Sequence, residues 1–279
     1  VKRLIVTADD FGVAPEVNEA VEVGHRNGVL TAASLMVAAP GCADAVMRAE
    51  RTPSLKVGLH LVLVEGRPFL PAAELPDLVT AEGLFRTDMA KMGADIFFRP
   101  CARRQLAREI EAQFAAFAAT GLELDHVNTH KHYHLHPTIA GLILRSGRRY
   151  GLKASRAPVE PRAVLAAVDP SAAPKPAWIT EPWARWVRAR YRRAGIVMAD
   201  SVFGLAWSGA MTPARVAAII ERLPDGLSEL YLHPATAGGF EGAAPGYDYA
   251  GEFAALTAPE TRTALNRSGA KLGSFTDFL

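Results

Sequence analysis

Between His126 and Pro137 the chain reads His-Val-Asn-Thr-His-Lys-His-Tyr-His-Leu-His-Pro, and five of its 8 histidines fall inside this stretch. Imidazole binds transition metals and exchanges protons near neutral pH, so the stretch is read as part of a metal centre rather than as a polar loop. His130, His132, His134 and His136 share one parity, and in an extended chain they would face one side. One loop does not complete such a centre, which needs three protein ligands and an open position. Other polar residues interrupt apolar runs elsewhere: Asp9-Asp10 after Leu4 to Ala8, His60 within Gly58-Leu-His-Leu-Val, and His233 within Leu230-Tyr-Leu-His-Pro. Alone, His60 would be a core histidine and Asp-Asp a turn or helix cap. Together with His130 they describe one site drawn from separate segments. Adjacent carboxylates repel unless a cation takes one of them, and the other is then free as a base. One Asp and two His suit a single divalent ion, zinc best and then Mn, Fe or Co; magnesium is less natural beside two imidazoles.

The elements that must carry these residues alternate along the chain. Strands are expected at Leu4–Ala8, Ala33–Val37, Lys56–Val64, His126–Thr129, Lys153–Arg156, Ser201–Leu205, Ser228–His233 and Lys271–Phe275. Helices are expected at Pro15–Asn27, Cys42–Arg51, Arg103–Ala119, Pro137–Arg149, Trp178–Ala194, Pro213–Arg222 and Pro259–Arg267. Residues 65–100 read as a long excursion and the Pro-rich 157–177 as a loop. Strand-then-helix alternation argues for a parallel sheet with helices outside it. No GxGxxG or GxxxxGK[ST] motif marks a nucleotide site. The expectation is an α/β fold with a single domain over 1–279, a (β/α) barrel of seven or eight strands, irregular if not closed. In such barrels the chemistry lies at the C-terminal ends of the strands, where Asp9, Asp10, His130 and His233 fall.

Composition narrows the partners. With 279 residues, 49% hydrophobic and 22% charged, the chain can build a packed core. Its net charge of +2 gives no general attraction to nucleic acid. Cys42 and Cys101 form no zinc-ribbon pattern, which suggests a reduced, cytoplasmic protein and leaves one disulfide open. The N-terminal apolar run is too short for a signal peptide or a membrane span.

Thr7-Ala-Asp-Asp-Phe-Gly12, Gly58-Leu-His60 and His126-Val-Asn-Thr-His-Lys-His-Tyr-His134 together resemble the YdjC-like carbohydrate deacetylases, from about residue 3 to His233-Pro234. Overall similarity, including Gly238-Gly-Phe-Glu-Gly242, points to the hopanoid-biosynthesis-associated branch. The resemblance implies Asp9 as general base, Asp10, His60 and His130 as metal ligands, and His233 as the acid. It places Arg156 and Asp200 along the substrate site, with Asn128 beside them, while His132 and His134 either contact substrate or the residues behind it or serve a purely structural role. The family pattern often has Asp-Ser where this chain has Asn128-Thr129. The implied activity removes acetate from an N-acetylglucosamine group, in this branch on a lipid-linked bacteriohopane polyol. Alternatives are a deacetylase of soluble chitooligosaccharides, a metal-dependent hydrolase of another class, or a metal-buffering or sugar-binding protein. Other metal hydrolase barrels usually place His-x-His after the first strand, where this chain has Asp-Asp. Residues Trp178–Ala194 interleave tryptophans with arginines. That helix is either an ordinary barrel helix with its tryptophans in the core or a peripheral contact with the inner face of a membrane.

Overall fold

The structure is a computed structural model, described over residues 1–170 and 181–279. Its first strand, β1 (Lys2–Phe11), is buried on both faces, which is why Leu4-Ile5-Val6 is a continuous apolar run. The next units are α1 (Pro15–Asn27), β2 (Ala32–Leu35), α2 (Cys42–Glu50) and β3 (Lys56–Leu61). After the excursion come α3 (Met89–Phe98), α4 (Pro100–Ala119), β4 (Leu124–Thr129), α5 (Pro137–Gly147) and β5 (Ala154–Ser155). The chain continues through α6 (Arg162–Val168), α7 (Glu181–Arg193), β6 (Val197–Met198), β7 (Ser201–Phe203) and α8 (Pro213–Glu221). It closes with β8 (Gly226–Leu232), α9 (Tyr249–Thr257), α10 (Pro259–Ser268) and β9 (Lys271–Leu272). Proline opens α1, α4, α5, α8 and α10, where its missing N–H costs nothing. The buried face of α4 carries Leu106, Ile110, Phe114 and Phe117, at helical spacing.

All pairings between named strands are parallel, in the order β6-β5-β4-β3-β2-β1-β8-β7, with β9 beside the start of β1. The sheet curls into an open barrel with helices around it. Its two ends, β6 and β7, are separated only by Ala199 and Asp200, so the chain itself spans the seam. Parallel neighbours bring the C-terminal ends of β1, β3, β4 and β8 to one rim.

Several expectations are corrected. The excursion contains α3, which Gly93 obscured as a helix breaker; a Cβ there would meet the His136 ring at 3.3 Å. The 157–177 loop contains α6. Short, apolar α9 and two-residue β6 had too little periodicity to register. Trp178 lies outside the described residues. The histidine stretch after β4 is not extended: His130–Leu135 forms tight 3-10 turns, with Lys131 and His132 in the left-handed region at φ 56° and 53°. The shared parity of its histidines therefore gives them no common face.

Candidate active site

The two aspartates reach the rim through a break in β1. Thr7 and Ala8 pair with Ala32 and Ala33, and the register then shifts before Phe11 meets Leu35. Inside this bulge Asp10 has φ 62°, a conformation that costs a non-glycine residue on the order of 1 kcal/mol. In a regular strand Asp9 and Asp10 would face opposite sides. The bulge brings both to the rim instead.

Oδ1 of Asp10 lies 3.2 Å from Nε2 of His60 and 3.2 Å from Nδ1 of His130. Donor atoms ~3.3 Å apart are what two ~2 Å bonds at a tetrahedral angle would give. Among the described residues these three form the cluster able to share an ion, with one ligand atom from each within 4.8 Å of the others. The state of His60 fits as well. Its Nδ1 donates to Oδ1 of Asn128 at 2.6 Å, so Nε2 is the nitrogen turned towards Asp10. That nitrogen is buried without a hydrogen-bond partner and faces a carboxylate. A metal-ligating imidazole is commonly held in this way, its other nitrogen donating to a neighbouring oxygen. Burial alone would raise the Asp10 pKa, but His130 and His60 hold it well below the usual carboxylate range.

Asp9 is 2% exposed and makes no contact with that cluster's nitrogens short enough to join it. Arg156 grips it with both terminal nitrogens, at 2.5 Å to Oδ2 and 2.9 Å to Oδ1. Oδ1 also accepts from Ser34 Oγ and Asn128 Nδ2, each at 3.1 Å. Oδ2 has a single donor, so it is the oxygen with capacity left for a further hydrogen bond. Burial pushes the Asp9 carboxyl up, but Arg156 more than reverses this and holds it far below the ordinary value. Behind Arg156, Glu229 accepts from its Nε and Nη2 at 2.9 and 2.7 Å, and the Tyr231 ring lies 4.3 Å beneath the guanidinium.

His233 follows β8 and reaches the same rim, between Tyr231 and Tyr247 at ring separations of 5.8 and 5.3 Å. Burial disfavours its charged form, but Glu252 and the two aspartates outweigh this and push it up to about 9. His132 places Nε2 2.9 Å from the Tyr231 hydroxyl and keeps Nδ1 buried without a partner. Burial first, then Arg156, holds His132 well below the ordinary histidine value.

Two residues expected along the substrate, Arg156 and Asp200, are placed elsewhere, and His134 has the structural role left open for it. Arg156 is wholly buried and clamps Asp9. His134 is 1% exposed, bridging Thr129 Oγ1 and the carbonyl of Arg156, each at 2.8 Å, and so pins β5 to the histidine turns. Asp200 sits at the seam, accepting from the N–H of Leu227 near the start of β8 and pairing with Arg192. That is the opposite end of β8 from His233, because a side chain between β6 and β7 follows the seam and not the rim. Asn128 is buried between His60 and Asp9. Glu229, Tyr231, Ser34 and Glu252 escaped the sequence reading. A carboxylate inside the apolar strand Gly226–Leu232 was the available signal for Glu229.

The profile of the YdjC-like protein family matches residues 3–267. The chain belongs to the YdjC-like family. A carbohydrate deacetylase of Geobacillus stearothermophilus is 32% identical over 83% of this chain and 78% of its own. One from Homo sapiens is 31% identical over 99% of this chain and 90% of its own. One from Brevibacillus brevis is 38% identical, and the match covers 53% of this chain and just over half, 56%, of that relative's own length. The fold recurs in a solved protein of Enterococcus faecalis, provisionally named for cellobiose-phosphate cleavage, with a TM-score of 0.78 at 23% identity and 99% and 98% coverage.

Proposed function

We propose that the chain is a metal-dependent N-deacetylase that removes acetate from an N-acetylglucosamine group. The observation that carries this reading is the pairing of two adjacent aspartates with different duties. Asp10 shares a cluster with His60 and His130, while Asp9 lies beside that cluster, held by Arg156. Two imidazoles and a carboxylate favour zinc, with magnesium or another divalent ion as alternatives. When bound, the ion supplies a Lewis acid that polarises the acetamide carbonyl and acidifies water. Asp9 Oδ2 takes a proton from the attacking water as the water oxygen bonds to the carbonyl carbon. Arg156 and Ser34 keep that carboxylate ionised and oriented. As the C–N bond breaks, His233, already protonated, gives its proton to the departing nitrogen. Acetate and a free amino sugar result. His132, with its unpartnered Nδ1, is the histidine of the loop best placed to meet the sugar. A metal-buffering protein would have no use for Asp9, and its four-donor setting supports a hydrolase.

The substrate we favour is lipid-linked, a hopanoid glycoside. Among the described residues no helix is long and apolar enough to cross a membrane. The surface of α7 supports peripheral contact. Trp183 and Trp186 are 49% and 41% exposed rather than packed in the core. Arg190 covers the Trp186 ring at 5.1 Å, and Arg145, Arg148, Arg190 and Arg193 line a cavity of about 430 Å³ between α5 and α7. Tryptophan suits the headgroup layer and arginine its phosphates. The experiment is mass spectrometry of a panel holding N-acetylglucosamine oligomers and an N-acetylglucosaminyl hopanoid. Acetate loss from the hopanoid in preference to the oligomers is expected. Turnover of the oligomers alone would overturn the lipid substrate, and no acetate from any amide would overturn the deacetylase.

A further inference from the structure

A line of buried polar groups runs beneath Asp9. Oδ1 of Asp125 accepts from the backbone N–H of Thr276 at 2.8 Å and from its hydroxyl. Oδ2 of Asp125 lies 2.8 Å from Nδ1 of His126. Nε2 of His126 is 2.9 Å from Oγ of Ser34, which reaches Oδ1 of Asp9 at 3.1 Å. Asp125, His126, Ser34 and Asp9 are each 2% exposed or less. The ring of His126 occupies the space a side chain at position 58 would need: a Cβ on Gly58 would stand 2.5 Å from its Cε1 and Nδ1. Phe275 covers the ring from the other side at 4.9 Å. The glycine of Gly58-Leu-His60 thus makes room for a second histidine, two residues before the ligand.

Hydrogen counting decides how the line is wired. Burial opposes the charge on Asp125, but His126 and Thr276 bring its pKa down to about 2, so it accepts and never donates. Nδ1 of His126 must then carry a hydrogen. Ser34 owns one hydrogen, and Asn128 Nδ2 already donates to its oxygen at 2.9 Å. A bare Nε2 would compete with Asp9 for that single hydrogen, leaving either that nitrogen without a donor or two oxygens 3.1 Å apart with no hydrogen between them. With hydrogen on Nε2 as well, Ser34 accepts from His126 and Asn128 and donates to Asp9, and every group is satisfied.

We propose that Asp125 and His126 form a buried ion pair, both ring nitrogens carrying hydrogen, which with Ser34 forms a positioning chain that aims Asp9 at the attacking water. The chain rests on Asp9 being the base, and the test separates the two ideas. Nitrogen-15 histidine NMR of the metal-loaded and metal-free protein, with the resonance assigned by its loss in His126→Gln, should show two N–H groups on that ring. Ser34→Ala should lower kcat on an N-acetylglucosamine oligomer about tenfold, the worth of one hydrogen bond, with KM and bound metal unchanged. Ser34→Thr, which keeps the hydroxyl, should restore most of it. A ring bearing one hydrogen, or Ser34→Ala turning over at the wild-type rate while Asp9→Asn is inactive, overturns the positioning chain alone. An active Asp9→Asn overturns the base itself. Should Ser34→Ala fail to fold, the NMR measurement on the unaltered protein decides.

Discussion

Nδ1 of His60 and Oδ1 of Asn128 meet at 2.6 Å, and the same amide donates to Asp9 from its other end. One neutral side chain therefore orients both the His60 ring and the neighbouring carboxylate of Asp9. An aspartate, which family members often carry there, could accept from His60 but could not donate to Asp9. Asn128→Ala is expected to weaken metal binding about 10–100-fold, the usual cost of losing such support. Asn128→Asp should keep metal affinity and lose turnover. Chelator competition and steady-state rates on both variants check this; equal metal loss in both would contradict it.

Asp9 and Asp10 are adjacent yet should fail differently. His60→Ala or Asp10→Ala should lose ion and activity together, because each removes a member of the cluster. Asp9→Asn should keep the ion and the fold while turnover falls about 10²–10⁴-fold. Metal analysis beside rate measurement settles the division; full occupancy in His60→Ala, or near wild-type turnover in Asp9→Asn, would overturn it.

Much of this site was legible before the fold was known. Asp9, Asp10, His60, His130 and His233 break apolar segments, and unpaired polar groups inside strands are costly enough to signal a purpose. The barrel was legible from alternation. The wiring was not. Arg156 follows a two-residue strand and meets Asp9 across 147 positions, a contact no local pattern encodes. The histidine parity misled because two left-handed residues, Lys131 and His132, redirect every side chain after them. Asp200 misled because its partners lie at the seam.

Burial makes His134 acid-sensitive. Its pKa is pushed down from 6.5 to about 3 by burial, so between these values the unfolded chain binds a proton that the folded chain refuses. Stability should fall as pH drops through this window, by up to about 1.4 kcal/mol per pH unit for one such group. His132 contributes in the same direction. Thermal unfolding of metal-free protein from pH 7 to pH 4 should show the slope, and His134→Gln should flatten it. An unchanged slope in the variant would remove His134 as the cause.

The exposed tryptophans of α7 predict a division between substrates. The protein should sediment weakly with anionic vesicles, and less at high salt. Trp183→Ala combined with Trp186→Ala should lower activity on the lipid-linked sugar and spare soluble oligomers. Equal losses on both, or no vesicle binding at low salt, would return α7 to an ordinary barrel helix.

The bond from Thr7 to Glu229 spans 222 positions, and β8 is the strand that flanks β1 along most of its length. At about 5–20 residues per second on the ribosome, β1 waits roughly ten to forty seconds for that neighbour. During this interval Leu4-Ile5-Val6 is an apolar strand with an open edge, able to pair with the same segment of another nascent chain. Lys2-Arg3 before it and Asp9-Asp10 after it put charge at both ends of the exposed run. The acidic pair proposed to divide the catalytic work thus also stands where a gatekeeper against aggregation during synthesis would stand.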